Sequence, residues 1–305
     1  MDRIVSLAAQ SHPNRTTGAY FDRMPPLPTS NLRRYGGFVL RFVLPAIVVA
    51  YVGGLAVLYE RQERMIFPGR ALAPDHRFHF DQRFEEVRIP VPGASLDALH
   101  FIQDHPRGLV FFVHGNAGNL DVWATGLDFY RSIDYDLFIF DFRGYGKSTG
   151  TIENEAQLNA DVRAAWDYIA PQYAGKPIIV YGRSLGTGLA AELARNVNPA
   201  LLVLVSPYTS VTAIAQRRFP FVPGWLVKYP LRTDSIIGDI RSPILMFHGS
   251  EDSLIPPSES EKLKALAKSP TELVIVTGAH HGDVHRFPQY LNALADHALK
   301  AAGGA

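Results

Sequence analysis

Six short apolar runs, each bounded by turn residues, set the character of the chain from residue 108 onward: GLVFFVHG, YDLFIFDFRG, KPIIVYGRS, LLVLVSPY, SPILMFHGS and ELVIVTGAH. Each is too short to make a buried helix and rich in Val, Ile, Leu and Phe, as strands covered on both faces are. Between them lie segments with helical apolar spacing: Glu153 to Ala170, Gly186 to Val197, Ser258 to Lys268 and, at the end, Phe287 to Ala301. Parallel neighbours need a crossover connection, usually a helix, so this alternation predicts an α/β fold with a mostly parallel sheet and helices on both faces. Ahead of it, FEEVRIPVPGASLDALHFIQ reads as two alternating strands joined by Pro92-Gly93, a β-hairpin. In open parallel sheets ligands bind at the carboxyl ends of the strands. The residues just after each run are therefore the ones where chemistry is expected.

The front of the chain obeys other rules. Residues 1–36 carry scattered Arg and the breaker cluster MPPLPTSN without an apolar period, which predicts a disordered tail, with Met24 as an alternative start. Residues 37–59 contain FVLRFVLPAIVVAYVGGLAVLY, Phe38 to Tyr59. As a helix this covers roughly 33 Å against a hydrocarbon layer of about 30 Å. Arg41 lies near one end, where it can snorkel, and Pro45 and Gly53-Gly54 are tolerable in such a helix. The expectation is a single transmembrane anchor. A cleaved signal peptide fits less well, because a long tail precedes the span and LYERQER follows it, and a buried core helix is the other reading. Arg33 and Arg34 precede the span, Arg41 lies at its leading end, and Arg61, Arg64 and Arg70 follow it. Arg23 tips the balance towards an N-terminus inside and a catalytic domain outside.

Composition removes several functions. The net charge is +1, from 30 basic and 29 acidic residues, without the basic excess that nucleic-acid binding needs. There is no cysteine, which excludes disulfides, thiolate zinc sites and a cysteine nucleophile. Residues 60–305 are enough for one large α/β domain.

The strand PIIVY runs straight into GRSLGTG, a G-x-S-x-G at Gly182, Ser184 and Gly186 before an Ala- and Leu-rich helical segment. A strand-to-helix turn this tight holds its central residue in a strained conformation, tolerates only small neighbours and exposes the serine as a nucleophile. The N–H of Leu185, at the helix start, is then an oxyanion donor. A serine nucleophile needs a base, and the base an orienting acid. Asp252, with Glu251 as its adjacent rival, follows PILMF. The stretch TGAHHGDVH places His280, His281, His285 and Asp283 after ELVIV. His281 and His285 also have the i, i+4 spacing of a helical metal pair with Asp283 as a third ligand, yet no second cluster supplies further ligands.

FVHGNAGN, FDFRGYGKSTG, YGRSLGTG, SPYTS, HGSEDSLIPP and GAHHGD, in that order, resemble the α/β-hydrolase superfamily. They are most similar to its membrane-anchored branch of protein depalmitoylases and lysophospholipid lipases, which RQERMIFPG also resembles, so the likeness runs from about Glu60 to the last helix. The resemblance implies the α/β-hydrolase fold with Ser184 as nucleophile. It implies Asp252 as the acid, since H-G-x-x-D-x-x-I-P fits His248 to Pro256. It implies His281 as the base, from G-A-x-H-x-D at Gly278 to Asp283, although His280 stands where glycine is common. The backbone N–H of Asn116 is implied as the second oxyanion donor. His285 is expected at the surface, and His114, Asp141, Arg143 and Lys147 are expected to be structural.

An insertion at about 209–240 is expected to cap the site. Phe219, Phe221, Trp225 and Tyr229 are expected to line an acyl pocket, or else to pack the insertion onto the body, while Arg217 and Arg218 meet an anionic headgroup or membrane surface. The implied activity is hydrolysis of acyl esters or thioesters of lipid-like substrates through an acyl-enzyme, with no metal or cofactor. A serine peptidase on the same scaffold is the alternative, ahead of a metal-dependent hydrolase or a non-catalytic binding protein.

Overall fold

The protein is described by a computed structural model covering residues 35–303. It divides into two compact units, one ending at Ala56 and the other running from Val57. The expected tail lies outside the described residues except for Tyr35 and Gly36, which are already helical. A continuous helical stretch runs from Tyr35 to Glu60, reaches a mean hydropathy of 2.2 and buries none of its most apolar window, so it is long and apolar enough to cross a membrane. Its regular part is α1 (Leu44–Glu60), preceded by a π-turn over Val39–Val43 in which the Leu44 N–H bonds to the Val39 carbonyl. Pro45 explains the wider turn: its ring displaces the carbonyl four residues back and it has no N–H to donate.

In the second unit the expected hairpin forms as β1 (Phe84–Val91) and β2 (Ala94–Phe101). The six apolar runs become β3 (Gly108–Val113), β4 (Tyr135–Phe140), β5 (Ile178–Arg183), β6 (Leu201–Val205), β7 (Ile244–Gly249) and β8 (Thr271–Val276). Their order across one sheet is β1-β2-β4-β3-β5-β6-β7-β8, and every pairing from β4 to β8 is parallel, whereas β2 is antiparallel to both its neighbours. The sheet thus reverses order between β3 and β4, and the chain continues outward from β5.

The helices α2 (Glu155–Ile169), α3 (Gly186–Val197), α4 (Val211–Arg218), α5 (Ser258–Leu266) and α6 (Pro288–Gly303) fall on the segments with helical spacing, apart from α4, which lies in the insertion. Leu158 and Val162 of α2, Leu189 and Leu193 of α3 and Leu263 of α5 join one apolar cluster on one face of the sheet. Leu294 and Ala298 of α6, with Tyr130 and Ile133, join the second on the other face. Asn154 caps α2 and Ser210 caps α4, each side-chain oxygen accepting a first-turn N–H, so both starts are set by the sequence.

Candidate active site

β5 ends directly beneath α3, and Ser184 sits between them with φ +51, a left-handed conformation rare for a residue with a side chain. Two glycines make the turn possible. A Cβ on Gly186 would stand 2.1 Å from the Val113 carbonyl oxygen, and one on Gly182 would stand 2.6 Å from the Ala190 Cβ. The first obstacle is backbone at the end of β3 and cannot be moved aside. Tyr208, fully buried in SPYTS, donates its hydroxyl to the Leu185 carbonyl at 2.8 Å and braces the turn from behind. This role was not foreseen. Its trace in the sequence was the SPYTS motif that follows a fully apolar strand.

The structure brings the three expected side chains into one chain of hydrogen bonds. Ser184 Oγ lies 2.8 Å from His281 Nε2, and His281 Nδ1 lies 2.7 Å from Asp252 Oδ2. The other carboxylate oxygen of Asp252 accepts the N–H groups of Leu254 at 3.0 Å and Ile255 at 2.8 Å. Burial works against this anion, but its contacts with His248 and His281 and the Ile255 N–H prevail and hold the carboxyl below the usual carboxylate range. His248 was not singled out from the sequence as a participant. It is wholly buried 3.4 Å from Asp252 Oδ2, and its ring is fixed by Ser260 Oγ at 2.5 Å and the Ile255 carbonyl at 2.8 Å. Its i, i+4 spacing from Asp252 was the available signal.

The adjacent rivals form an outer pair. His280 contacts the Glu251 carbonyl at 3.1 Å and its carboxylate at 3.5 Å, and both side chains are more than half exposed. Successive residues on two neighbouring loops thus make one pair facing Ser184 and one facing water.

His285 is not the surface residue expected. Its ring is about half buried beside Arg183, Tyr181 and Phe129, and its Nδ1 is buried without a hydrogen-bond partner. It belongs to a 3₁₀ turn, Val284–Arg286, separate from the turn holding His281, so the two histidines do not share a helical face. Asp283 accepts the His280 N–H at 2.7 Å, and among the described residues no group of three His, Asp or Glu side chains is placed to hold a metal ion.

Burial, together with the charges of Arg183 and Arg286, pulls the His285 pKa down from 6.5 to about 4. The unfolded chain therefore binds a proton that the fold refuses between these values. This part of the stability is complete above the unfolded pKa and is lost as pH falls from it towards the folded one. Discounted for the half-exposed ring, the loss is about 1 kcal/mol. His285→Gln should accordingly show a smaller drop in melting temperature from pH 7 to pH 4 than the parent. Equal drops in the two proteins would remove His285 as the source.

Leu185 immediately precedes α3, where the first N–H groups lack intrahelical acceptors. Asn116 lies half-buried in the loop after β3, and its carbonyl accepts the Tyr145 hydroxyl at 2.6 Å. That loop passes the turn closely, since a Cβ on Gly115 would lie 3.5 Å from the Arg183 carbonyl oxygen. His114 is wholly buried, bonded to the Gly115 carbonyl at 2.7 Å, with Trp123 stacked on its ring. Asp141 is also buried, and burial raises its pKa, while one of its oxygens accepts the Leu120 N–H at 3.2 Å. Arg143 makes a buried two-pronged bridge to Asp161 at 2.6 and 2.9 Å, and Lys147 pairs with Glu86 at 2.6 Å.

Of the four aromatics expected either to line an acyl pocket or to pack the insertion onto the body, Tyr229 does the second and is fully buried. It packs edge-on against Phe67 at 4.9 Å and donates its hydroxyl to Glu63 at 3.2 Å. It belongs to the core because the insertion folds back onto the helical turn Gln62–Ile66. Phe219 is half-buried near Phe221, and Phe221 and Trp225 are 60% and 81% exposed, so these last two do not enclose a cavity.

Residues 104–235 match the family described as Serine aminopeptidase, S33. The chain is 31% identical over 253 residues to an uncharacterised protein of Mycobacterium tuberculosis, covering 79% of this chain and 88% of that protein. It is 35% identical over 204 residues to human alpha/beta hydrolase domain-containing protein 17B, covering 65% of this chain and 69% of that one. Among solved structures, an esterase of Pyrococcus furiosus superposes with a TM-score of 0.62 at 21% identity, over 76% of this chain and 98% of that one. Mouse alpha/beta hydrolase domain-containing protein 10 gives 0.53 at 17% identity, over 70% and 96% of the two chains. The fold and the family match define a hydrolase of the α/β-hydrolase class. The chain belongs to the α/β-hydrolase family that includes domain-containing protein 17B.

Proposed function

We propose that this hydrolase cleaves acyl esters or thioesters of lipid-like substrates through an acyl-enzyme on Ser184, while held at a membrane by a single N-terminal helix. The observation that carries the reading is the continuous path from Ser184 Oγ through His281 to Asp252, with links of 2.8 and 2.7 Å. His281 Nε2 takes the hydroxyl proton as Oγ attacks the acyl carbonyl. The N–H groups of Leu185 and Asn116 receive the oxyanion, and Asp252 holds the proton on Nδ1 and offsets the imidazolium charge. Collapse expels the alcohol or thiol with the proton from His281. Water, deprotonated by the same nitrogen, then releases the carboxylic acid and restores Ser184. Every proton and charge in this cycle has a protein group assigned to it.

The preference for an acyl substrate rests on the apolar helix Tyr35–Glu60 and the exposed aromatics of the insertion, which suit substrates that partition into lipid. A serine peptidase using the same three residues is the second reading, favoured by the aminopeptidase description of the matched family. A panel of acyl thioesters, acyl esters and peptide amides separates them, and turnover confined to the amides would reverse the preference.

The test of the site is labelling of the full chain with a fluorophosphonate, with the modified peptide mapped. Ser184 should be the labelled residue. His281→Ala should lose labelling, while His280→Ala and His285→Ala should keep most of it. Labelling that survives in His281→Ala would show that the base has been misassigned.

A further inference from the structure

The insertion is tied to the end of the apolar helix by a compact set of polar contacts. Gln62 Nε2 donates to the Leu226 carbonyl at 2.8 Å, and the Lys228 N–H donates to Gln62 Oε1 at 2.9 Å. The Lys228 ammonium bonds Glu63 at 3.0 Å and stands 4.3 Å above the Tyr59 ring. Tyr59 lies in the last turn of α1, the level at which a crossing helix leaves the hydrocarbon and where Tyr is favoured. Trp225 is one residue from Leu226, so its ring lies within about 15 Å of that level.

Trp225 is 81% exposed, and the neighbouring Phe221 is 60% exposed. Arg217 and Arg218 close α4 just before them, both exposed, and among the described residues no carboxylate pairs with either. An indole beside two unpaired guanidinium groups is the composition of a membrane-interface contact: the ring suits the headgroup level and each cation is attracted by anionic lipid. A soluble partner protein would not account for the position of the patch next to the end of the helix.

We propose that the segment from Arg217 to Trp225 is a second membrane contact, inserting Trp225 at the headgroup level of an anionic bilayer. This rests on the reading of Tyr35–Glu60 as a crossing helix. It makes the insertion a lipid contact in place of the wall of an acyl pocket.

Tryptophan fluorescence offers a direct test, because the chain has three tryptophans and none lies in the apolar helix. Trp123 and Trp166 are half-buried, the first donating to the Ala117 carbonyl at 2.6 Å and the second packed on Phe111. The full chain is reconstituted in phosphatidylcholine vesicles, with and without phosphatidylserine, containing lipids brominated near the headgroup end of the acyl chain. The parent should be quenched, and Trp225→Phe should lose most of the quenched signal. Adding phosphatidylserine should deepen quenching in the parent and leave the Arg217→Ala/Arg218→Ala variant unchanged. Equal quenching in the parent and Trp225→Phe, with both proteins resisting carbonate extraction, overturns the contact and leaves the anchor standing. Release of the parent by carbonate overturns the anchor, and the contact with it.

Discussion

Ser184→Ala should lower kcat on a soluble acyl thioester by roughly 10⁶-fold, leaving only the acceleration that the oxyanion donors and binding supply. The side chain does all of the covalent work in the proposed cycle, and nothing nearby can replace it: the neighbouring loops carry no cysteine, and Thr187 Oγ1 donates back to the Ser184 carbonyl at 2.7 Å. The fold should survive, because alanine inherits the same positive φ and removes only a hydroxyl bonded to His281. The measurement is single-turnover release of thiol, with melting temperature as the control. Activity within about tenfold of the parent would mean that acyl transfer does not pass through this serine.

Asp252→Asn should cost about 10⁴-fold in kcat, through the wrong imidazole tautomer and not through loss of structure. One carboxylate oxygen accepts two backbone N–H groups, at 3.0 and 2.8 Å, so the amide oxygen of asparagine must take that place. Its NH₂ then faces His281 Nδ1, where the carboxylate now stands at 2.7 Å. Two donors cannot meet, so Nδ1 becomes the acceptor and Nε2 carries the proton. A protonated Nε2 cannot take the hydrogen of Ser184. The check is kcat against pH for Asp252→Asn beside Glu251→Gln, whose parent carboxylate faces solvent and His280. A loss for Glu251→Gln equal to that for Asp252→Asn would transfer the role of acid to the outer pair.

The strands and main helices were legible because their signals are local. A short apolar run such as YDLFIF, bounded by turn residues, suits a strand covered on both faces, and α3 began and ended where Gly186 and Val197 predicted. The tight turn at Ser184 was legible for the same reason, since strand, glycine pair and serine are contiguous. Readings stayed open or failed where a side chain's neighbours come from distant parts of the chain. Tyr229 has the composition of a pocket residue, and only the return of the insertion onto Phe67 and Glu63 shows it to be core. His285 lies four residues from His281, yet a turn and a 3₁₀ segment between them replace the single helix that their spacing suggested.

By itself the sequence determined the α/β class, the hairpin ahead of the parallel strands, the apolar helix and the residue types available for chemistry, because these follow from periodicity and composition along short stretches. The residue pattern left two adjacent acids and three nearby histidines open, the family resemblance pointed to Asp252 and His281, and only the tertiary structure shows why these two meet Ser184. A change of one residue along a loop turns a side chain from the site to solvent. Which member of each pair faces inward depends on the packing of the β7 and β8 loops against each other, where the Glu251 N–H bonds to the Ala279 carbonyl at 2.9 Å. That bond joins residues far apart in sequence, and it brings Asp252 and His281 together while leaving Glu251 and His280 in water.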